Sequence, residues 1–311
     1  MNRRVAAVDC GTNSVRLLVA DVDPVAGTLT GLERRLEIVR LGQGVDRTGR
    51  IAPESLARTL AVLDDYAKLA AHHGVTRTRM VATSATRDAD NRDEFVQGAL
   101  DTLGVRPEVA TGAEEAHLSF VGATRELPGS GLAGLAKPYL MVDIGGGSTE
   151  FVLGSEGVEA SYSVDVGVVR LTERHLHDDP PTAEQVRAAL ADVDAALDEV
   201  GTAVPLDRAA TLVGVAGTVT TVSGMALDLP AYEPSRIHHS RISAGKVREI
   251  TERMLSSGHS ERAAIPVIHP GRVDVIGAGS LLLNRIMERL GHDEVIVSEH
   301  DILDGIAWSL A

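Results

Sequence analysis

The segment LMVDIGGGSTEFVL, residues 140–153, places Asp143 and Glu150 on either side of Gly145, Gly146, Gly147 and Ser148. Read as a β-hairpin centred between Gly146 and Gly147, it sets Asp143 directly opposite Glu150. Like charges facing each other across a ladder are destabilising, so the pair calls for something positive between them. Two carboxylates beside bare backbone N–H groups suit a hard divalent cation. Mg²⁺ takes one or two carboxylates and completes its shell with water and substrate phosphate. The plain alternative is that Glu150 points to solvent. The glycines permit positive φ and let a ligand touch the backbone, and N–H groups curling round an anion make a phosphate nest. Metal-assisted phosphate binding is the chemistry this segment predicts.

A second copy of the pattern lies upstream. VDCGTNSVRLLV (8–19) aligns without gaps on VDIGGGSTEFVL (142–153), with a constant offset of 134 that relates Asp9 to Asp143. Thr12, Asn13 and Ser14 add side-chain donors in the first loop and Ser148 adds one in the second, so two loops could grip one phosphate chain. The copies differ at one point. Asp9 faces Arg16, a neutral pair, where Asp143 faces Glu150. Each copy opens a half-chain between apolar strands, which predicts a duplicated domain facing itself across a cleft.

Other chemistries find no support. SAGKV (243–247) has neither the upstream glycine nor the following hydroxyl of a phosphate-binding P-loop, and no HExxH or paired CxxC suggests catalytic zinc. The histidines, His72-His73 and His238-His239 included, lack ligand spacing and read as surface residues. A net charge of −14 with no basic block excludes a nucleic-acid surface, so any polyanion must be held locally. No apolar run is long enough to span a bilayer, and Asp9 interrupts the N-terminal apolar run too early for a signal peptide. The single cysteine, Cys10, reads as buried filler and points to a reducing compartment. Cytoplasmic placement, with no membrane partner, is the expectation.

The elements that must position these residues alternate. RVAAVDCG and VRLLVADVD read as strands around a Gly-Thr-Asn turn. Residues 53–72 read as a helix opened by Pro53, RMVATSA as a strand, and AEEAHLSFVGATREL as a helix with Glu114 and Glu115 in its first turn. The Gly/Pro-rich stretch 127–138 reads as a linker. Beyond the hairpin come helices over about 182–200, 243–256 and 273–290, a strand turning into a helix at Gly217, a strand EVIVS and a last helix. The class is α/β, with domain I over 1–126, completed by 299–311, and domain II over 127–298.

The two loops resemble those of the actin–Hsp70–sugar kinase superfamily. The segments AVDCGTNSVRLLV, VATSATRDADN, TGAEEAHLSFVGA, VDIGGGSTEFV, VGVAGTVTTV, VDVIGAGSLLL and SEHDILDGIAW resemble, in order, its exopolyphosphatase and guanosine pentaphosphate phosphohydrolase branch, the Ppx/GppA family. That resemblance implies two ribonuclease-H-like domains with the active site in an interdomain cleft, and commonly a homodimer. It implies that the second glutamate of the Glu-Glu-Ala motif, Glu115, is the catalytic base, and that Asp143 and Glu150 hold Mg²⁺ or Mn²⁺. It implies that Arg87 clamps phosphate, while Asp9 either holds the first loop or reaches the metal through water. A carboxylate at a helix start could indeed orient a water for in-line attack, whereas Glu114 fits dipole complementation.

Longer members of that family carry an added helical C-terminal region, so this chain reads as a short form. The favoured substrate is then short-chain inorganic polyphosphate, cleaved at its terminal phosphate to release orthophosphate. Two alternatives stay open at this point: hydrolysis of guanosine pentaphosphate (pppGpp) to ppGpp, with a nucleoside pocket near GAGS (277–280), or a nucleotide or alarmone sensor without turnover.

Overall fold

The computed structural model describes residues 3–127, 132 and 134–311. Within the expected linker 127–138, residues 128–131 and 133 lie outside the described residues. The chain divides into two compact units, Met1–Gly122 with Ile302–Ala311, and Ala123–Asp301.

The first unit holds a five-stranded sheet built from β1 (Arg3–Cys10), β2 (Ser14–Asp23), β3 (Thr28–Ile38), β4 (Arg77–Ala82) and β5 (Glu108–Val109), in the order β3-β2-β1-β4-β5. β1, β2 and β3 form an antiparallel meander, and β4 and β5 run parallel to β1. The second unit holds β6 (Tyr139–Ile144), β7 (Thr149–Gly154), β8 (Val158–Val164), β9 (Thr211–Val215), β10 (Arg241–Ser243) and β11 (Glu294–Val297), in the order β10-β11-β9-β6-β7-β8. Here β6, β7 and β8 form the meander, β9 and β11 run parallel to β6, and β10 adds an antiparallel edge. The same five-strand plan thus occurs twice, and it is ribonuclease-H-like each time.

Both faces of the first sheet are covered, which is why β1 reads as a nearly unbroken apolar run. Ala6, Val8 and Cys10 pack with Leu63, Tyr66 and Phe95 on one face. Val5 and Ala7 pack with Leu118, Ile302, Leu303 and Ile306 on the other. The helix Pro53–His72 starts at its proline and buries Ser55, Thr59, Leu63, Tyr66 and Ala70 along one stripe, and the Tyr66 hydroxyl donates to the Val15 carbonyl at 3.0 Å. The final helix, Ile302–Ser309, lies so close to the helix Gly112–Thr124 that a Cβ at Gly305 would meet the Leu118 carbonyl oxygen at 2.0 Å. In the second unit, Leu140, Val142, Phe151 and Leu153 of the hairpin join one large core with Val193, Leu197 and Leu282.

Among the elements that escape the sequence reading are β3, the helix Arg92–Leu103 and the helix Val168–His175. β3 is an edge strand that is mostly exposed and carries Glu33, Arg34, Arg35 and Glu37. A charged edge resists pairing with other chains but erases the apolar alternation that would announce a strand. Among the described residues no helix is long and apolar enough to cross a membrane.

Candidate active site

The two Asp-x-Gly-x-x-Ser turns close in the same way. Gly11 N–H donates to Ser14 C=O at 2.9 Å, and Gly145 N–H donates to Ser148 C=O at 3.1 Å. Their supports differ. In the first turn the Thr12 carbonyl accepts from Gly42 N–H (2.8 Å), and the Asn13 carbonyl accepts from Val39 and Arg40 N–H (3.1 and 2.9 Å). In the second, the carbonyls of Gly145 and Gly146 accept from Val168 and Val169 N–H at 3.0 and 2.8 Å, at the start of the helix Val168–His175. A trans peptide sends its C=O and the following N–H to opposite sides. Asn13 and Ser14 N–H therefore face away from the 39–42 segment, and Gly146 and Gly147 N–H face away from the helix start. Each turn is braced by its carbonyls and presents donors on the other side, as an anion nest requires.

Gly145 does not take the positive φ expected of it; its need is for room, since a Cβ there would sit 3.0 Å from the Ser148 carbonyl oxygen. At Gly11 the same contact is an ordinary 3.5 Å. Gly167, which the sequence reading passed over, is more constrained than Gly145: a Cβ there would meet the backbone of Gly146 at 2.5 Å and of Gly147 at 2.7 Å. Only a glycine lets the bracing helix approach the loop.

The carboxylate pairs are in the expected registers, Asp9 opposite Arg16 and Asp143 opposite Glu150. Arg16 grips Asp9 Oδ2 through Nε and Nη2 at 2.9 and 2.8 Å. Asp143 and Glu150 are both buried, Glu150 at 1% exposure, so the alternative in which it points to solvent is excluded. Ser163 of β8 donates to Glu150 Oε1 at 2.7 Å, fixing one carboxylate oxygen. Two buried, facing carboxylates with a supporting hydroxyl form an all-oxygen donor set, and that fits a hard divalent cation.

In the first unit, Glu115 is buried and Glu114 is exposed. Thr111 and Glu114 form a capping box: Thr111 N–H and Oγ1–H donate to Glu114 Oε2 at 2.8 and 2.9 Å, and Glu114 N–H donates to Thr111 Oγ1 at 3.2 Å. These bonds hold the Glu114 carboxyl below the usual range. Glu115 is left for a different task. Its Oε2 lies 3.3 Å from Arg87 Nη1, which also donates to the Ala110 carbonyl at 2.9 Å. Arg87 ends the short helix Ser84–Arg87, and Ser84 at the start of that helix hydrogen-bonds the Thr12 hydroxyl at 2.9 Å. The first loop, Arg87 and Glu115 are thus linked by one short element. Ser84 and Gly42 join the site beyond those expected; a Cβ at Gly42 would meet Thr12 Cγ2 at 2.3 Å.

Arg272 is a further addition. Its guanidinium lies against Gly217, where a Cβ would stand 2.2 Å from Cζ, and Nη1 donates to the Gly217 carbonyl at 3.3 Å. Ala216, just before it, has φ +68, a strained conformation for a residue with a side chain. The segment 277–280 falls inside the helix Ile276–Leu290 with Ala278, Gly279 and Ser280 buried. Gly279 gives room to Thr218, whose Oγ1 would be 2.6 Å from a Cβ there. Gly279 thus packs helices, while Gly277 and Ala278 line a cavity together with Leu255, Asp179, His259 and Arg262. Cys10 is a buried thiol pushed up by desolvation, as its reading as filler requires. His238 is no bland surface residue, for it stacks on His239 at 3.6 Å and lies 4.5 Å from His300.

Comparison with known proteins gives one consistent picture. The exopolyphosphatase 2 of Mycobacterium tuberculosis is 51% identical, over 99% of this chain and 98% of its own. The crystal structure of an exopolyphosphatase-like protein matches with a TM-score of 0.95 at 41% identity, covering 100% of this chain and 98% of that one. That of the Aquifex aeolicus Ppx/GppA family member matches with a TM-score of 0.80 at 29% identity, covering 100% and 98%. The duplicated ribonuclease-H-like plan is accordingly that of the actin–Hsp70–sugar kinase superfamily. The model of the Ppx/GppA phosphatase family matches residues 18–311, and the chain belongs to that family.

Proposed function

We propose that the protein is an exopolyphosphatase that removes the terminal phosphate of inorganic polyphosphate, short chains in particular, as orthophosphate. The observation that carries this reading is the buried Asp143–Glu150 pair beside a loop whose N–H donors are turned outward. The M. tuberculosis relative, named an exopolyphosphatase, supports it. In this reading Asp143 and Glu150 hold Mg²⁺, or Mn²⁺ in its place, with Ser163 steadying Glu150. The ion, when bound, neutralises phosphate oxygens as charge shifts toward the leaving group.

The chain's own residues do the rest. Within each unit the turn's backbone N–H groups bind phosphate oxygens, with Thr12, Asn13 and Ser14 in the first and Ser148 in the second. Glu115 accepts a proton from the attacking water, Arg87 keeps that carboxylate beside a cation and reaches for phosphate, and Asp9 with Arg16 holds the first strand pair. Phosphoryl transfer asks mostly for positioning and charge stabilisation, which two braced loops supply. A homodimer in the cytoplasm completes the reading; sedimentation of the purified protein tests the first, and fractionation of cells the second.

The deciding experiment measures orthophosphate release with Mg²⁺ from short polyphosphate, long polyphosphate and pppGpp, with Glu115→Gln alongside. Release from short polyphosphate that disappears in Glu115→Gln is expected. Release from pppGpp alone would move the protein to alarmone hydrolysis, and tight binding without release would make it a sensor.

A further inference from the structure

A second cluster of ligating side chains lies apart from the oxygen site and has different chemistry. Glu126, His238 and His300 each offer a ligand atom, and these atoms all lie within 4.8 Å of one another. His300 Nδ1 is 3.3 Å from Glu126 Oε2. All three residues belong to the second unit. The backbone presents them firmly. Ser298, fully buried, donates through its hydroxyl to the His300 carbonyl at 2.8 Å and accepts from His300 N–H at 3.1 Å. His238 follows the short helix Pro234–Ile237, and His239 beyond it adopts φ +64 and donates its N–H to Val297 C=O at 2.7 Å.

We propose that Glu126, His238 and His300 form a binding site for a zinc-class divalent ion, with water completing the shell. Two imidazoles and a carboxylate are borderline ligands that suit Zn²⁺ and its late first-row neighbours. They do not suit Mg²⁺, which prefers oxygen, so the protein separates two metals by donor type. Loading has local costs: Glu299 N–H donates to His238 Nδ1 at 3.1 Å, a contact the ring must release to coordinate, and the ion must replace the His300–Glu126 contact.

The placement gives the site a structural task. Glu126 stands four residues after the point where the chain enters the second unit, and His300 stands two before the point where it leaves. An ion here ties both crossover segments to the His238 loop.

The test uses the full chain without an affinity tag and titrates it with zinc chloride by calorimetry, then with cobalt chloride by visible absorption. One tight site per chain is expected, together with the visible bands of low-symmetry Co²⁺. Zinc at about 100-fold excess over Kd should raise Tm by roughly 3–8 °C. His300→Ala and His238→Gln should each weaken zinc binding at least ~10-fold, while Asp143→Asn leaves it unchanged. A metal-free thermal melt of each variant shows that loss of binding is not loss of fold. Absence of a tight site in the wild type, or unchanged zinc affinity in both histidine variants, would overturn the proposal, as would loss in Asp143→Asn with retention in His300→Ala. Because the readout is metal binding, the result is independent of whether polyphosphate is hydrolysed.

Discussion

The hairpins β1–β2 and β6–β7 share a turn, a register and an aspartate, and they differ in what faces that aspartate. In the first, Arg16 holds Asp9 through two bonds to Oδ2. In the second, Glu150 sets a second buried carboxylate opposite Asp143. One copy of the duplicated element thus sets a cation opposite its aspartate, while the other sets a second carboxylate there. The bracing differs in parallel. The first turn leans on an irregular segment, residues 39–42, and the second on the start of a helix.

The largest expected effect comes from removing one of those facing carboxylates. Glu150→Gln keeps the shape and the bond from Ser163 but removes one of the facing charges. Phosphate release should fall by about 10³-fold with the loss of a metal-bound charge at the transferring group. The metal-free protein should meanwhile gain up to about 1 kcal/mol, because the like-charge pair is gone. Mg²⁺ should raise the melting temperature of the wild type and not that of the variant. Opposite signs for activity and stability are the signature; a variant that is both less active and less stable contradicts the comparison.

The complementary change is Arg16→Met in the first hairpin. Removing one partner of a mostly buried ion pair costs about 3 kcal/mol, measurable as a lower denaturant midpoint at unchanged slope. The effect should fall on stability first, with Mg²⁺ affinity close to wild type. A large loss of Mg²⁺ affinity at unchanged stability would instead mean that Asp9 and Arg16 serve the metal.

The glycines sharpen the same contrast at smaller scale. Gly167→Ala pushes a methyl into the backbone of Gly146 and Gly147 and should lower kcat/KM for polyphosphate by roughly 10–100-fold, since small displacements of positioning groups carry such penalties. Gly11→Ala meets only an ordinary contact and should stay within about 2-fold, a shift of under ~0.5 kcal/mol. Steady-state kinetics on the two variants decides whether the second loop is the tighter one.

What the sequence disclosed about this site follows from its range of interaction. The facing of Asp143 and Glu150 is a local property: alternation across a hairpin, centred by its turn, settles it. The Thr111–Glu114 capping box is equally local, although the sequence suggested only a dipole role for Glu114. Gly167 was silent because its requirement comes from a loop some twenty residues away. The cluster of Glu126, His238 and His300 was illegible for the same reason in stronger form: adjacent histidines carry no metal spacing when the other ligands come from distant segments. β3 was hidden by its own exposure, for a charged edge strand lacks the periodicity that burial imposes.

The smallest effect separates the two adjacent glutamates. Glu114 has a folded-state pKa held below its ordinary value by the Thr111 N–H and hydroxyl. A depressed carboxylate contributes stability above its unfolded pKa, and that contribution is lost as pH falls through the lower folded value. Glu114→Gln keeps the geometry of the box, since glutamine also serves at this position, but removes the titration. The variant should match the wild type to within about 0.5 kcal/mol near pH 7, because the carboxylate is exposed and its charge is screened. Its stability should then decline less steeply than that of the wild type in acid, below about pH 4.3, the ordinary glutamate value. Phosphate release at neutral pH should hardly change, whereas Glu115→Gln one residue away should nearly abolish it. If Glu114→Gln is the inactive variant and Glu115→Gln the active one, capping and catalysis have been assigned to the wrong carboxylates.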